Sequence, residues 1–246
     1  GYGSLVRGGR GSQFTFHHNL WASHLARMPR PGNYDYAKID PIGAFMDFRN
    51  SVFYNWGGDA SGYNADDGQL ATYNFVGNAY IPGPDTKGRA AFKEGNAAAK
   101  SWFADNAMDG VVPADPWSLV IGKMTVAQRL SGPAPLPPVA TESWDKAYAR
   151  VMAAAGASLT RDSVDQRILD GVKSRTHHII NSQDEVGGWP VLKSAPAPLD
   201  SDGDGMPDAW EASHGLNPKD AKDGARVGSG GYTNLEVYLN SLVPPA

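Results

Sequence analysis

Two stretches of the sequence combine residue types and spacings that could do chemistry. The first, FTFHHNLWASHLARMPRPG (residues 14–32), contains the adjacent His17 and His18, followed by Arg27 and Arg30 beside prolines. Adjacent histidines could indicate a metal site. Arginines instead suit a planar carboxylate, because a guanidinium group can bind it through two parallel hydrogen bonds.

Strand geometry separates these two chemistries. The residues around His17 alternate between aromatic and polar types, which predicts a strand, and neighbours on a strand point to opposite faces. We therefore expect one of His17 and His18 to pack inside and the other to face outward, so that they do not chelate one ion. No HxH or HxxxH spacing is nearby, which disfavours zinc. His177 and His178 receive the same interpretation.

The second stretch, DSDGDGMPDAWE (residues 200–211), has the spacing of an EF-hand calcium loop. Acidic residues at loop positions 1, 3, 5, 9 and 12 surround a glycine at position 6, where such loops turn sharply. The predicted ligands are Asp200, Asp202, Asp204, Asp208, Glu211 and the carbonyl of Met206. A solvated acidic linker is the alternative, but carboxylates packed this closely repel each other without a cation. Further on, Val237 stands where a second loop would need a bidentate acid, so we expect one Ca²⁺ ion.

The elements that must position these residues begin with a repeat of short strands. The runs FTFHHNLW (14–21), FMDFRNSVF (45–53) and TYNFVGNAY (72–80) each place an asparagine after a strand, at Asn19, Asn50 and Asn78. Such an irregular repeat without helices is typical of a parallel β-helix, in which stacked asparagines would hydrogen-bond along the axis. Three unrelated turn asparagines are the alternative.

After residue 140 the apolar period becomes helical. The segments 141–158 and 162–172 carry apolar stripes with spacings of three and four residues, which predicts two amphipathic helices packed on the strands. The segment APAPLD (195–200) is a linker by composition. We therefore expect a β-helix portion with its covering segment over residues 1–198 and a calcium-loop module over residues 199–246.

Bulk composition excludes several classes of protein. The 246 residues include no cysteine, which excludes disulfides and thiolate chemistry. The formal net charge of -4 does not indicate a nucleic-acid partner, and no apolar run is long enough to span a membrane. The opening GYGSLVRGGRG has neither an initiator methionine nor a signal-peptide pattern, so we expect a processed or truncated chain.

The strings FTFHHNLW…ARMPRPG, FMDFRNSVFYNWGG and NFVGNAYIPGP together resemble the second half of pectate lyases of the first polysaccharide lyase family. The segment RDSVDQRILDGV…IINSQDEVGGWP is similar to the covering segment of bacterial members, and the calcium-loop module is familiar on their secreted lyases. The resemblance implies an all-β fold: a right-handed parallel β-helix with covering helices and loops, plus a small calcium-binding module.

The resemblance also implies an activity, the cleavage of polygalacturonate by calcium-assisted β-elimination. The first arginine of the family's R-x-P motif is the base that removes the C5 proton, and Arg27 holds that position. The C5 proton is acidic because it lies next to the uronate carboxylate, whose developing charge Ca²⁺ would stabilise. Arginine is a poor base at its free pKa above 12. The chemistry therefore needs neighbouring cations and favours alkaline pH.

Substrate-binding candidates are Arg30, His17 and Tyr34. The family usually has an arginine where this chain has Gly32, and Arg30 is the candidate to replace it. Tyr34, like Tyr36 and Trp56, could instead be a buried aromatic residue.

The family's catalytic calcium ligands lie upstream of the HHN motif. A C-terminal fragment that needs its N-terminal half as a partner is therefore one alternative to a secreted lyase. A non-catalytic uronate-binding β-helix and a scaffold fragment whose only ligand is structural calcium are the others.

Overall fold

The computed structural model describes residues 1–228 and 230–243, which fall into two compact units. The first, here called the β-helix unit, comprises Gly1–Gly156 and Ser163–Pro190. The second, here called the small unit, comprises Ala157–Asp162 and Val191–Ala246.

Parallel strands of the β-helix unit form columns that the chain visits in the same order on each coil. The first sheet contains β2 (Gln13–His17), β5 (Ala44–Arg49), β8 (Ala71–Val76) and β11 (Lys100–Ala104). The second contains β3 (Leu20–Ala22), β6 (Val52–Tyr54), β9 (Ala79–Ile81) and β12 (Ala107–Met108). The third contains β7 (Ala60–Asn64), β10 (Ala90–Glu94) and β13 (Val120–Gly122).

A fourth group, β1 (Leu5–Gly8) and β4 (Arg30–Asn33), pairs in parallel and continues the third column. Two backbone hydrogen bonds join the segment just before β4 to β7: Met28 N donates to Ser61 O at 3.0 Å, and Tyr63 N donates to Pro29 O at 3.0 Å. The predicted right-handed parallel β-helix is therefore confirmed, with about 4 coils.

Aromatic side chains fill the coils because parallel in-register strands place equivalent residues about 4.8 Å apart, which is the spacing of stacked rings. Phe16, Phe48, Phe75 and Phe103 stack along the first sheet, with ring centroids 5.4, 5.1 and 4.6 Å apart. Along the second sheet Trp21, Phe53 and Tyr80 stack at 4.8 Å per step. The runs aligned in the sequence therefore meet in space.

The predicted asparagine ladder exists, but Asn50 is not part of it. Strand register aligns Asn19 with Ser51, and Ser51 with Asn78. Ser51 N donates to Asn78 Oδ1 at 3.0 Å, and Asn78 N donates to Asn106 Oδ1 at 3.1 Å. Asn50 instead occupies the preceding corner, with φ +49, where its side chain bonds the backbone of Glu142 and donates along the axis to Gly77 O at 3.2 Å.

Two helices cover the second sheet. The helix predicted over 141–158 is confirmed as the shorter α1 (Trp144–Ala154), and the helix predicted over 162–172 as α2 (Ser163–Ser174). Val151 of α1 packs on Val52 and Ala79, and α2 contributes Leu169 and Val172 to a neighbouring cluster. Short 3-10 turns span Pro116–Leu119, Val126–Gln128 and Gln183–Val186.

The small unit contains two short helices, α3 (Asp208–Ser213) and α4 (Asn234–Ser241), with the acidic loop before α3. Met206, in that loop, is fully buried and supplies an apolar anchor. Among the described residues, every helix is too short or too polar to cross a bilayer.

Candidate functional site

Arg27 lies on a segment fixed to coils on both sides. Its carbonyl accepts a hydrogen bond from Ser4 N at 2.7 Å, and the next residue, Met28, is fully buried and bonds Ser61. The backbone of Arg27 is left-handed, with φ +67, as it is at the turn residue Asn55. Because this conformation recurs at several coil corners, it reflects the turn geometry and is not by itself a mark of function.

The guanidinium group of Arg27 contacts aromatic partners. Its Nε donates to the Tyr63 hydroxyl at 3.3 Å, and its Cζ lies 4.4 Å from the centroid of the Tyr2 ring. Within the described part of the chain, no carboxylate forms an ion pair with it. Aromatic contacts orient the side chain without neutralising its charge, which remains available to an anion.

Arg30 and Arg7 share the carboxylate of Asp66. Arg7 Nη2 lies 2.5 Å from Asp66 Oδ2, and Arg30 Nη2 lies 3.0 Å from Asp66 Oδ1. The Arg30 guanidinium also stacks over the Tyr63 ring at 5.2 Å. We call Arg7, Arg27, Arg30, Tyr63 and Asp66 the arginine cluster. Its three guanidinium groups and one carboxylate leave two positive charges uncompensated.

Gly32 stands where the family usually has arginine, and the structure leaves no room for a side chain at this position. A Cβ atom at Gly32 would lie 2.5 Å from Asp66 Oδ2, closer than real Cβ atoms approach an oxygen. The register of β1 and β4 pairs Gly32 with Arg7. Asp66 therefore fills the space next to residue 32, and positive charge comes from Arg7 and Arg30.

A hollow of about 310 Å³ shares Tyr63 with the arginine cluster, and its two charged lining residues, Asp59 and Lys93, form an ion pair at 3.3 Å. A larger hollow of about 500 Å³ lies under residues 130–135, but its lining includes a single charged side chain, Lys100. Among the described residues, no arginine lines either of these two hollows, so the arginine cluster itself, and not a cavity, defines the candidate anion site.

The structure does not bring His17 to this cluster. His17 ends β2, in the first sheet, and its Nδ1 lies 2.9 Å from His18 Nδ1. The prediction that the two rings face opposite ways is wrong, because His18 has a left-handed backbone with φ +55 and leaves the strand. His18 Nε2 pairs with Glu142 at 2.8 Å. His177 and His178 do separate, toward Ser23 and Asp85 respectively.

The aromatic candidates divide by burial. Tyr34 follows β4 and is 68% exposed, and Tyr36 is also exposed, so neither is a buried aromatic residue. Trp56 is fully buried and donates its indole N–H to Gly88 O at 2.8 Å.

Sequence reasoning missed Arg7, Tyr63 and Asp66 because they lie far from Arg27 along the chain. Aligning β7 with β4, one coil apart, would have brought Tyr63 beside Arg30.

The acidic loop gathers most of its predicted ligands. Carboxylate oxygens of Asp200, Asp202 and Asp204 lie within 4.8 Å of one another, and a second group joins Asp204 and Glu211 to Asp223. Asp208 instead caps the loop, accepting bonds from Ser201 N and Oγ at 2.7 Å. The Met206 side chain is buried beneath the loop.

The loop carboxylates are buried without enough hydrogen-bond donors. Both oxygens of Asp202 and of Glu211, one of Asp204 and one of Asp223 are buried and unpartnered. Burial, together with the charges of Asp202, Asp204 and Asp223, raises the pKa of Glu211 to about 7. Hard oxygen ligands in this arrangement fit Ca²⁺, which would supply the missing partner.

The stacked coils define a right-handed parallel β-helix that carries a cluster of three arginines on its third column. Comparison with known proteins narrows this class. No family model matches the chain. A protein named "Probable pectate lyase C" from Aspergillus flavus is 37% identical over 235 residues, covering 92% of this chain and 52% of the relative.

Two further relatives with the same name match a similar share of the chain. The one from Neosartorya fischeri is 36% identical over 238 residues, covering 92% of this chain and 52% of its own length. The one from Aspergillus terreus is 32% identical over 250 residues, covering 98% and 56%. The chain thus spans about half the length of the curated relatives it matches. The predicted resemblance to pectate lyases is confirmed.

Proposed function

We propose that the β-helix unit is part of a secreted lyase that cleaves polygalacturonate by β-elimination, with the arginine cluster as its acidic-sugar site. The observation that carries the proposal is the placement of Arg27, which forms no ion pair with a carboxylate among the described residues and is held on a hydrogen-bonded segment beside two further arginines. Similarity to proteins named pectate lyase supports the substrate class.

In this mechanism the residues have distinct roles. Arg7 and Arg30 bind the uronate carboxylate. Their positive charges stabilise the negative charge that develops when C5 loses its proton, so the C5 proton becomes more acidic. Arg27 acts in its deprotonated, neutral form, which alkaline pH favours: a guanidine nitrogen takes the C5 proton and becomes positively charged, the C–H electrons form the C4–C5 double bond, and the C4–O glycosidic bond breaks. The leaving oxygen takes a proton from solvent. Tyr63 orients both Arg27 and Arg30 through its hydroxyl and its ring.

Calcium beside the substrate carboxylate would add charge neutralisation to this reaction. The arginine cluster does not fit that ion, because its single carboxylate, Asp66, is already bonded to two arginines. Charge neutralisation by the cluster itself therefore falls to Arg7 and Arg30.

The same proposal assigns one Ca²⁺ ion to the acidic loop of the calcium-loop module (residues 199–246), where it stabilises the module. Buried unpartnered oxygens of Asp202 and Glu211 support this role.

The activity is tested by mixing the protein with polygalacturonate and calcium at alkaline pH and following the ultraviolet absorbance of unsaturated uronates. The assay uses the complete natural polypeptide that carries this sequence. We expect Arg27→Ala to lower the rate by at least about 100-fold, which is typical for loss of a general base. The matched control is Arg89→Ala, since Arg89 is exposed and pairs with Asp109 away from the cluster. An unchanged rate in Arg27→Ala would refute the assigned base.

A non-catalytic uronate-binding β-helix is the second candidate, favoured by the two arginines that Asp66 holds in place. Calorimetry with oligogalacturonates separates the two functions. A lyase with Arg27→Ala should still bind the oligomer, whereas Arg30→Ala should weaken binding. Binding without any unsaturated product from the unmodified protein would identify the second function.

A further inference from the structure

Asp223 reaches the acidic loop from a separate segment of the small unit. It lies outside the EF-hand spacing, yet it is 1% exposed, and its carboxylate lies within 4.8 Å of those of Asp204 and Glu211. One oxygen, Oδ2, accepts a hydrogen bond from Asn217 N at 2.9 Å. The other, Oδ1, is buried with no partner.

Glu211 offers a second buried group aimed at the same space. It is 0% exposed, and both of its oxygens lack hydrogen-bond partners. Three carboxylates facing one another in a buried space cost several kcal/mol unless a cation or protons compensate them. The arrangement therefore provides a cation site with ligands from two segments of the chain.

The segment that carries Asp223 is packed directly on the loop. Gly224 approaches the Asp204 carboxylate so closely that a Cβ atom at this position would collide with it. Asn234, the first residue of α4, donates its side-chain amide to Asp223 O at 2.8 Å, and Leu235 N donates to Gly224 O at 3.1 Å. A cation bound by Asp223 would therefore also connect the acidic loop to α4.

We propose that Asp223 is a calcium ligand that completes the loop site together with Asp204 and Glu211, so that Ca²⁺ ties residues 217–224 and α4 to the loop. This rests on the proposed calcium role of the loop and adds a ligand from outside it. Folding of the small unit then depends on calcium, because without the ion these carboxylates repel each other where the two segments meet.

Calorimetric titration of the EDTA-treated protein with CaCl₂ tests the assignment. Asp223→Asn keeps an oxygen that can accept the Asn217 hydrogen bond but removes the charge, and it should raise the calcium Kd at least about tenfold, since ligand charge sets affinity. The matched control is Asp220→Asn, because Asp220 pairs with Arg226 and lies outside the cluster. It should change the Kd less than about twofold.

Two further measurements distinguish the outcomes. Asp202→Ala should abolish the calcium heat. If it does while Asp223→Asn leaves the Kd unchanged, the loop site stands and the role of Asp223 is refuted. If the unmodified protein shows no calcium heat, the proposed loop site itself fails. Should Asp223→Asn not fold, limited proteolysis of the unmodified protein decides: calcium should suppress cleavage within residues 214–226, and equal cleavage with and without calcium overturns the proposal.

Discussion

Glu94 is a carboxylic acid inside the β-helix. It ends β10, where Phe92 and Glu94 point inward and Lys93 points outward, and it is 0% exposed. Its Oε1 accepts a hydrogen bond from Asn96 N at 2.8 Å, whereas Oε2 has no partner. Burial raises the pKa of Glu94 from 4.5 to about 8, although hydrogen bonds from Asn96 and Asn64 oppose the rise.

This pKa makes the stability of the protein depend on pH. Between pH 4.5 and about 8 the unfolded chain releases the Glu94 proton while the folded chain keeps it. The free energy of unfolding therefore falls by about 1.4 kcal/mol per pH unit over this window and levels off above it. The full window corresponds to at most about 5 kcal/mol, because relaxation around the ionised group reduces the loss.

Glu94→Gln should remove this loss, because glutamine has nearly the same shape and does not ionise. We expect similar stability for both proteins at pH 5, and greater stability of the variant at pH 9, by several kcal/mol. Urea unfolding followed by far-ultraviolet circular dichroism at pH 5, 7 and 9 measures the difference. The result matters for function because the proposed elimination favours alkaline pH.

A control of opposite sign is available in the same unit. Hydrogen bonding to His18 and the ion pair with Arg150 lower the pKa of Glu142. Its contribution to stability is therefore present above pH 4.5 and lost as the pH falls through the folded-state pKa. Glu142→Gln should therefore be less stable than the unmodified protein at neutral pH, and this difference should shrink at acid pH. If Glu94→Gln follows the pH dependence of the unmodified protein from pH 5 to 9, the reasoning about Glu94 is wrong.

Two further predictions concern the coils. Phe75→Ala removes the central ring of the first-sheet stack and should lower the free energy of unfolding by about 3–5 kcal/mol in urea unfolding; a loss below about 1 kcal/mol would mean that the stack is not tightly packed. Asn78→Ala should cost about 1–3 kcal/mol because it leaves the buried Ser51 N–H without its acceptor. The exposed Asn19→Ala should cost less than about 0.5 kcal/mol, and equal losses would contradict the ladder.

The sequence pattern misplaced two residues that lie at the corners of coils. Asn50 and His18 both occupy the left-handed corner of a coil, one residue before the ladder. The alternation of apolar and polar residues does not reveal such a corner. A single residue with positive φ turns the chain, but the pattern of residue types around it stays the same. The sequence alignment therefore placed Asn50 in the ladder, which Ser51 occupies instead, and placed His18 on a strand that already ends at His17.

The sequence alone determined the features that depend on local spacing: the strand repeat, the two covering helices and the cluster of acids in the loop. Tertiary structure decided which distant residues meet. Stacking of coils brings Tyr63 and Asp66 to Arg27 and Arg30 and places Glu94 inside the core. In the small unit, the chain after α3 folds back and brings Asp223 to the loop. The physical reason is that local propensity acts over a few residues, whereas contacts between coils depend on how many residues each intervening turn contains.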